Sequence, residues 1–160
     1  PAFEKDGTVT AGSSSAISDG AAALVVMRLS EAEKRGAKPI ARLLGHATHS
    51  QEPEWFTTAP VASIKTLLDK VGWSAPEVDV YEVNEAFAVV PMAVMREHKI
   101  PAEKMNIHGG GIALGHPIGA SGARIIVTLI NALKQTGGKK GVASLCIGGG
   151  EATSVAIELI

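Results

Sequence analysis

Apolar residues recur at helical spacing in two long stretches of the chain. In the segment 60–72 they occur every three or four positions, between a proline at the start and a glycine at the end. The segment 119–137 has the same pattern over a greater length and ends in two glycines. Positions spaced in this way line one face of a helix, and proline and glycine mark helix ends. The pattern therefore predicts two helices that each pack one face against a core.

Shorter apolar runs between these helices are typical of β-strands. They are the segments 40–50, 78–83, 105–109, 141–148 and 152–160. The segment 85–99 is predicted to be a third helix, apolar on all sides and kinked at Pro91. The order from position 40 onward is then βαβαβαββ. Helical connections imply parallel neighbours, and the short turn before the last strand implies an antiparallel pair. This predicts an α/β layered domain with a mixed, mostly parallel five-stranded sheet.

The first 38 residues have a different organisation. The segment 18–29 predicts a short buried helix that runs into an apolar strand, and 30–36 predicts a polar helix. Lys38 and Pro39 form the predicted boundary between residues 1–38 and 39–160. The chain starts with neither a signal peptide nor an obvious translation start, so we expect that it begins inside a longer protein.

Composition narrows the class of protein. Of the 160 residues, 46% are apolar and 19% are charged, with a net charge of −1. This balance indicates a soluble globular protein and argues against nucleic acid or a membrane as partner. A single cysteine rules out an intrachain disulfide and fits a reducing compartment. We therefore expect a cytoplasmic location, although a targeting signal upstream would be invisible.

Three polar residues follow predicted strands, where ligands bind in parallel α/β sheets. They are Asn84, His116 and Cys146, the last two beside loops dense in glycine. Taken singly, Asn84 is better explained as a helix cap, and Cys146 as a small buried apolar residue. His116 is equally explained as a loop histidine bonded to backbone. Their shared position at strand ends, with twelve of the 18 glycines between positions 109 and 150, favours a common site.

Several well-known motifs are absent. The glycine spacing of the segment 115–122 matches neither the dinucleotide fingerprint nor a P-loop. Ser121 does not lie in a nucleophile elbow, which argues against a serine hydrolase. His46 and His49 lie on opposite faces of a predicted strand, so they do not suggest a shared metal. We expect no metal site.

Three blocks closely resemble the signature motifs of thiolases. They are "VNEAFA" at 83–88, "NIHGGGIALGHPIGASGARI" at 106–125 and "SLCIGGGEA" at 144–152. The segment 1–22 resembles the stretch before the thiolase domain boundary. The resemblance implies that residues 1–38 are the tail of the N-terminal thiolase domain and 39–160 the C-terminal domain. The acyl-carrying cysteine of the family lies in the first half, which this sequence does not contain.

The resemblance implies acyl transfer between CoA thioesters, either condensation of acetyl-CoA or the 3-ketoacyl-CoA cleavage of β-oxidation. Cys146 would be the acid/base, acting as a thiolate on the α-carbon. His116 would activate the absent cysteine and, with a water held by Asn84, form an oxyanion hole. The N–H of Gly148 would serve a second hole. The glycines would let the backbone approach the thioester, and Asn84 and His116 are expected to meet with one water between them.

By family position, five residues would line the pantetheine groove, with Ser15 bonding an amide. They are Ala2, Phe3, Ser15, Ala86 and Phe87. CoA and acyl-CoA would be substrates, with no further cofactor. The expected partners are an N-terminal thiolase half and a second copy of the enzyme, as a homodimer or homotetramer. A non-catalytic interaction module is the alternative, and a relative of the ketoacyl synthases fits the motifs less well.

Overall fold

In the computed structural model, which describes residues 1–160, a four-stranded sheet lies between helices on both faces. The elements in chain order are α1 (Leu29–Lys34), β1 (Ala41–Ser50), α2 (Ala59–Val71), β2 (Val80–Val83), α3 (Val89–His98), α4 (Gly111–Leu114), α5 (Ile118–Thr136), β3 (Lys140–Ile147) and β4 (Glu151–Leu159). The two long amphipathic helices, the polar helix and four of the predicted strands are confirmed. The α/β layering is confirmed as well.

The sheet has the strand order β1-β4-β3-β2. Strands β3 and β4 are antiparallel, as their short connection predicts, and β4 is also antiparallel to β1. Only β2 and β3 form a parallel pair. Three strands therefore run in the same direction, with β4 reversed between two of them. The sheet is mixed as predicted, but it is not mostly parallel, since two of its three strand pairs are antiparallel. It has four strands instead of the five expected.

The missing strand is the predicted segment 105–109. Only Met105 forms a bridge to Tyr81, and Asn106 then adopts a left-handed conformation with φ of 47°. The Asn106 side chain accepts a hydrogen bond from the Val83 N–H at 2.8 Å and donates to the Val83 carbonyl at 2.8 Å. One amide side chain thus supplies the donor and the acceptor that a neighbouring strand would supply. Strand β2 remains at the edge of the sheet.

The helix and strand predicted for residues 18–29 do not form. The structure has no helix or strand between residues 18 and 28, where Val25 is 87% exposed and Val26 is 72% exposed. The apolar, β-branched sequence favours a strand, but a strand requires a neighbour for its backbone groups. This segment has no neighbouring strand in the chain.

Two apolar clusters hold the layers together. Helix α2 buries Ile64 and Leu67 on one face of the sheet, in a cluster that also contains residues of α3. Helix α5 buries Leu129 and Leu133 on the other face. Each such side chain stabilises the fold by about 1.5–3 kcal/mol. None of the helices is both long and apolar enough to cross a membrane.

Helix α3 differs from its prediction in two respects. It begins at Val89 instead of position 85, because the preceding segment bonds to the chain's N-terminal region, with Ala88 N donating to the Ser13 carbonyl at 2.9 Å. Pro91 consequently lies in the first turn, where no intrahelical bond is lost and no kink is required. Met92 is largely exposed, so the helix is not buried on all sides.

Candidate active site

Asn84 continues β2 beyond its last residue and is almost completely buried. Its N–H donates to the Ser144 carbonyl at 2.9 Å, which fixes the main chain beside β3. The N-cap of α3 is Ala88, so Asn84 is not a helix cap. Its Nδ2 atom instead lies 3.2 Å from His116 Nε2. The predicted meeting of these two residues is confirmed, by direct contact of the two side chains.

His116 is held in place by residues 16–18, far away in the sequence. The His116 N–H donates to the Ala16 carbonyl at 2.9 Å, and Ile17 pairs with His116 in a parallel bridge. The preceding Gly115 has φ of +90°, and a Cβ there would collide with Ser18. Gly115 therefore lets its backbone approach Ser18 of the same chain, whereas the sequence led us to expect an approach to the thioester.

The hydrogen-bond network fixes the protonation of the His116 ring. The Ser121 hydroxyl donates to the Pro117 carbonyl at 3.1 Å, so its oxygen accepts from His116 Nδ1 at 2.6 Å. A neutral imidazole that carries its proton on Nδ1 has a lone pair on Nε2. That lone pair accepts from the amide of Asn84. His116 therefore presents a basic nitrogen at the carboxyl end of β2.

The surroundings of His116 keep its ring neutral. Burial lowers the pKa of His116, and the positive charge of Arg124 lowers it further. Arg124 lies on α5, six residues after the first residue of the helix, Ile118. A neutral imidazole at neutral pH can take up a proton, which is the state that a general base requires.

Asn84 also presents an unused acceptor. Its Oδ1 atom is buried and has no hydrogen-bond partner in the chain. An unsatisfied buried acceptor costs about 1–3 kcal/mol. A donor from outside the chain would therefore bind here favourably. The water predicted between Asn84 and His116 is not compatible with their direct contact at 3.2 Å, so that part of the prediction is wrong.

Cys146 lies near the end of β3, the strand whose Ser144 carbonyl accepts the Asn84 N–H. Its side chain packs in the cluster beneath α2 and α3, and it is 7% exposed. It forms no hydrogen bond with His116 or Asn84. Burial raises the pKa of Cys146 to about 11, so the resting residue is a thiol in this chain instead of the thiolate expected from the sequence.

Gly148 follows Cys146 by two residues in the turn between β3 and β4. It is exposed, and its N–H donates to no acceptor in the chain. A side chain at this position would meet no other atom within 4 Å. The turn therefore leaves one backbone donor free beside the end of β3.

Four of the five residues assigned to the pantetheine groove are linked to one another. Phe3 packs edge-on against Phe87 with ring centroids 6.0 Å apart. The Ser15 hydroxyl and the Ser15 N–H both donate to the Ala86 carbonyl at 3.0 Å. The Ser15 oxygen can still accept a bond from an amide N–H. Ala2 precedes Phe3 and donates its N–H to the Val9 carbonyl at 2.7 Å.

Sequence reasoning missed three residues of the site. Ser121 orients the ring of His116, Arg124 supplies a nearby positive charge, and Glu85 bonds the glycine loop. Ser121 lies five positions after His116, and Glu85 is adjacent to Asn84 in the motif. Neither spacing carries a signal, because the contacts depend on how the loop folds back over the end of β2.

A buried carboxyl group lies under the same strand end. Glu82 is 1% exposed, its Oε2 lies 3.9 Å from Arg124 Nη1, and its Oε1 has no partner. Burial raises the pKa of Glu82 from 4.5 to about 7. The positive charge of Arg124 opposes this increase, and the negative charge of Glu85 adds to it. The folded protein thus binds this proton more tightly than the unfolded chain does.

We expect the free energy of unfolding to decrease as the pH rises from about 4.5 to about 7. Below this range Glu82 is protonated in both states, and above it the folded state carries a buried charge. The loss is about 3 kcal/mol by linkage. Urea unfolding at pH 5 and pH 8 measures it. The variant E82Q should lose less stability between these two values than the wild type does.

The exposed Glu103, which forms no ion pair or side-chain hydrogen bond, provides the matched control. E103Q should follow the wild type at both pH values. A wild type and an E82Q variant that lose equal stability between pH 5 and pH 8 would contradict the assignment to Glu82.

Two family models match the chain. Residues 37–159 match the model described as "Thiolase, C-terminal domain", and residues 1–30 match "Thiolase, N-terminal domain". The chain is 48% identical to the acetyl-CoA acetyltransferase of Chromobacterium violaceum, covering 99% of this chain and 40% of that protein. It is 48% identical to the cytosolic acetyl-CoA acetyltransferase of Mus musculus, with the same coverage.

Two solved structures also match the chain over its whole length. The Bacillus anthracis acetyl-CoA acetyltransferase superimposes with a TM-score of 0.96 at 46% identity, covering 100% of this chain and 41% of that one. The human mitochondrial 3-ketoacyl-CoA thiolase gives 0.90 at 38% identity, covering 100% and 40%. The chain thus spans about two fifths of the length of these relatives.

Proposed function

This chain belongs to the thiolase family, and we propose that it is the C-terminal half of a thiolase that transfers acyl groups between CoA thioesters. The contact between Asn84 and His116 carries the proposal, because it joins a basic nitrogen and an unused buried acceptor at one strand end. The reaction is condensation of two acetyl-CoA units or cleavage of a 3-ketoacyl-CoA by CoA. The acyl-carrying cysteine comes from an N-terminal half, in the same polypeptide or in another.

His116 serves as base in the first step. Its Nε2 lone pair takes the proton of the nucleophilic cysteine in the N-terminal half, and the resulting thiolate attacks the thioester carbonyl. The departing CoA thiolate takes its proton from the Cys146 thiol, so Cys146 becomes the thiolate that the next step uses and His116 keeps the proton of the nucleophile. Ser121 and Arg124 support this role, since one fixes the tautomer and the other keeps the ring neutral at rest.

Cys146 transfers the proton at the α-carbon. In the cleavage direction its thiol protonates the carbanion that leaves as acetyl-CoA. In the condensation direction its thiolate removes that proton, and the carbanion attacks the acyl group on the nucleophilic cysteine. The raised pKa of Cys146 favours the protonated form that cleavage uses.

Two sets of donors stabilise the negative oxygens of these steps. Protonated His116 and a water held by Asn84 Oδ1 bond the enolate oxygen of the thioester. The free N–H of Gly148, with an N–H of the N-terminal half, bonds the tetrahedral intermediate. Phe3, Phe87 and the Ser15 oxygen provide an apolar groove with one hydrogen bond for the pantetheine arm.

The need for a second half has independent support. Residues 24–27, together with Leu29, expose five apolar side chains, by fractions between 37% and 87%. Exposed apolar surface of this kind is typical of an interface. The relatives that match the chain are more than twice its length. Pairing with the remainder of a thiolase would cover this surface.

We expect the 160-residue chain alone to cleave no acetoacetyl-CoA, because it contains only the acid/base cysteine. Mixing or fusing it with an N-terminal thiolase half should produce CoA-dependent cleavage, measured by mass spectrometry of the acetyl-CoA formed.

The matched control is the same N-terminal half with its nucleophilic cysteine replaced by alanine, which should give an inactive pair. Cleavage by the verified chain alone would overturn the proposal. A pair that forms a stable complex but stays inactive would instead favour a non-catalytic interaction module.

A further inference from the structure

Glu85 connects the end of β2 to the glycine loop that leads to His116. Its Oε1 atom accepts a hydrogen bond from Asn106 Nδ2 at 2.9 Å. Its Oε2 atom accepts from the Ile112 N–H at 3.2 Å. One carboxylate therefore holds both the beginning of the loop and the short helix α4 that follows.

The loop passes so close to this carboxylate that a side chain at Gly110 would displace it. A Cβ at Gly110 would lie 2.7 Å from the Glu85 carboxyl carbon and 2.9 and 3.0 Å from its two oxygens. A Cβ at Gly111 would lie 3.1 Å from the Glu85 carbonyl oxygen. At these two positions the backbone approaches Glu85. Two of the glycines in the motif are thereby explained by the fold of the chain itself.

Helix α4 depends on Glu85 for one of its first backbone donors. The helix begins at Gly111, and its N-cap is Gly110, which has no side chain to accept a bond. Glu85 supplies the missing acceptor to Ile112, the second residue of α4. Since α4 leads through Gly115 directly to His116, its orientation sets where the imidazole emerges.

The Glu85 carboxylate also helps to fix Asn84, the other residue of the contact with His116. Asn106 pairs with both backbone groups of Val83, the residue before Asn84, and donates to Glu85 through the same amide nitrogen. The Asn106 amide therefore holds the backbone of Val83, the residue before Asn84, and the carboxylate of Glu85, the residue after it. Strand end and loop are joined at one point.

We propose that Glu85 is a positioning residue that sets the contact between Asn84 and His116 by joining the end of β2 to the loop and α4. The catalytic consequence rests on the proposed thiolase function, whereas the positioning itself does not. Glu85 touches neither of the reacting side chains, so it acts through the backbone on both sides of the contact.

The test follows the ring nitrogens of His116 by long-range ¹H–¹⁵N NMR of the 160-residue chain. In the wild type the Nδ1 and Nε2 resonances should be widely separated, as in a fixed tautomer. In E85A the Nε2 resonance should shift, because the contact with Asn84 loosens, whereas Nδ1 stays bonded to Ser121. E85Q keeps one acceptor oxygen, so its shifts should be intermediate. E103Q should match the wild type.

Gly110→Ala provides a second, independent disturbance. The new methyl group displaces the flexible carboxylate of Glu85 without removing it, so this variant should reproduce the shifts of E85A. In the double variant E85A/G110A the methyl group has room, and the shifts should be no larger than in E85A alone. If E85A fails to fold, G110A and E85Q decide the question.

A kinetic arm tests the consequence for catalysis. In the pair with an N-terminal half, E85A should lower kcat by about 10²-fold, the typical cost of misplaced reacting groups, with little change in KM. His116 resonances that stay unchanged in E85A and G110A while the melting temperature falls would overturn the proposal. A pair without any thiolase activity would contradict the proposed function alone, because the NMR shifts still decide the role of Glu85.

Discussion

Replacing Cys146 by serine should separate the two halves of the reaction. In the pair with an N-terminal half, C146S should still transfer an acetyl group to the nucleophilic cysteine. Exchange of the α-protons of acetyl-CoA should decrease by about 10²–10⁴-fold, the usual contribution of a general acid/base. A serine hydroxyl has a far higher pKa than a thiol and cannot take the α-proton at neutral pH.

Two measurements follow these steps separately. The mass of the acetylated N-terminal half reports acyl transfer, and deuterium uptake into acetyl-CoA in D₂O reports proton exchange. Retained acylation also demonstrates that the variant is folded, so it serves as an internal control. Loss of acylation with normal exchange would reverse the roles, since it would make Cys146 the acyl carrier.

The secondary structure was predictable where neighbouring residues decide it. Helices α2 and α5 follow from their apolar spacing, and left-handed glycines end both at the expected positions, Gly72 and Gly137. The prediction failed for 105–109, where the Asn106 side chain replaces a strand. It failed again at 18–29, where a short helix running into a strand was predicted but the chain offers no neighbouring strand. Both failures depend on pairing between distant residues, which local sequence does not reveal.

The sequence was sufficient to predict that Asn84 and His116 meet at one edge of the sheet, but not which other residues hold them there. Asn84 follows β2 as predicted, but the strand predicted before His116 does not form, and α4 leads to His116 instead. The two residues still meet, because both lie where the chain leaves the same edge of the sheet. Ser121 and Glu85 were not predictable, because their hydrogen bonds depend on the exact course of the loop. The position of Cys146 at the end of β3 was predictable, but its burial in the cluster beneath α2 and α3 was not, because the residues around it are distant in the sequence.

His116→Ala should impair both stages of the reaction, whereas Asn84→Ala should impair only one. His116 takes the proton of the nucleophile and later donates to the enolate oxygen, so its loss should slow acylation and α-proton exchange alike. The expected loss is about 10²–10⁴-fold for the base and a further factor for the missing donor. Asn84 contributes only the water that bonds the enolate. Its loss should therefore lower exchange by about 10²–10³-fold and leave acylation near the wild-type rate.

His108 offers a matched control, because it lies in the same glycine loop, is exposed and forms no hydrogen bond through its ring. H108A should keep both rates, which excludes a general disturbance of the loop as the cause of the H116A defect. The decisive comparison is the acylation rate of N84A, measured by the burst of CoA released in the first turnover. An N84A variant that acylates as slowly as H116A would mean that Asn84 acts on the base itself, by holding Nε2 in place through the 3.2 Å contact. The water at Asn84 Oδ1 would then have no separate role in the mechanism, and the enolate oxygen would depend on His116 alone.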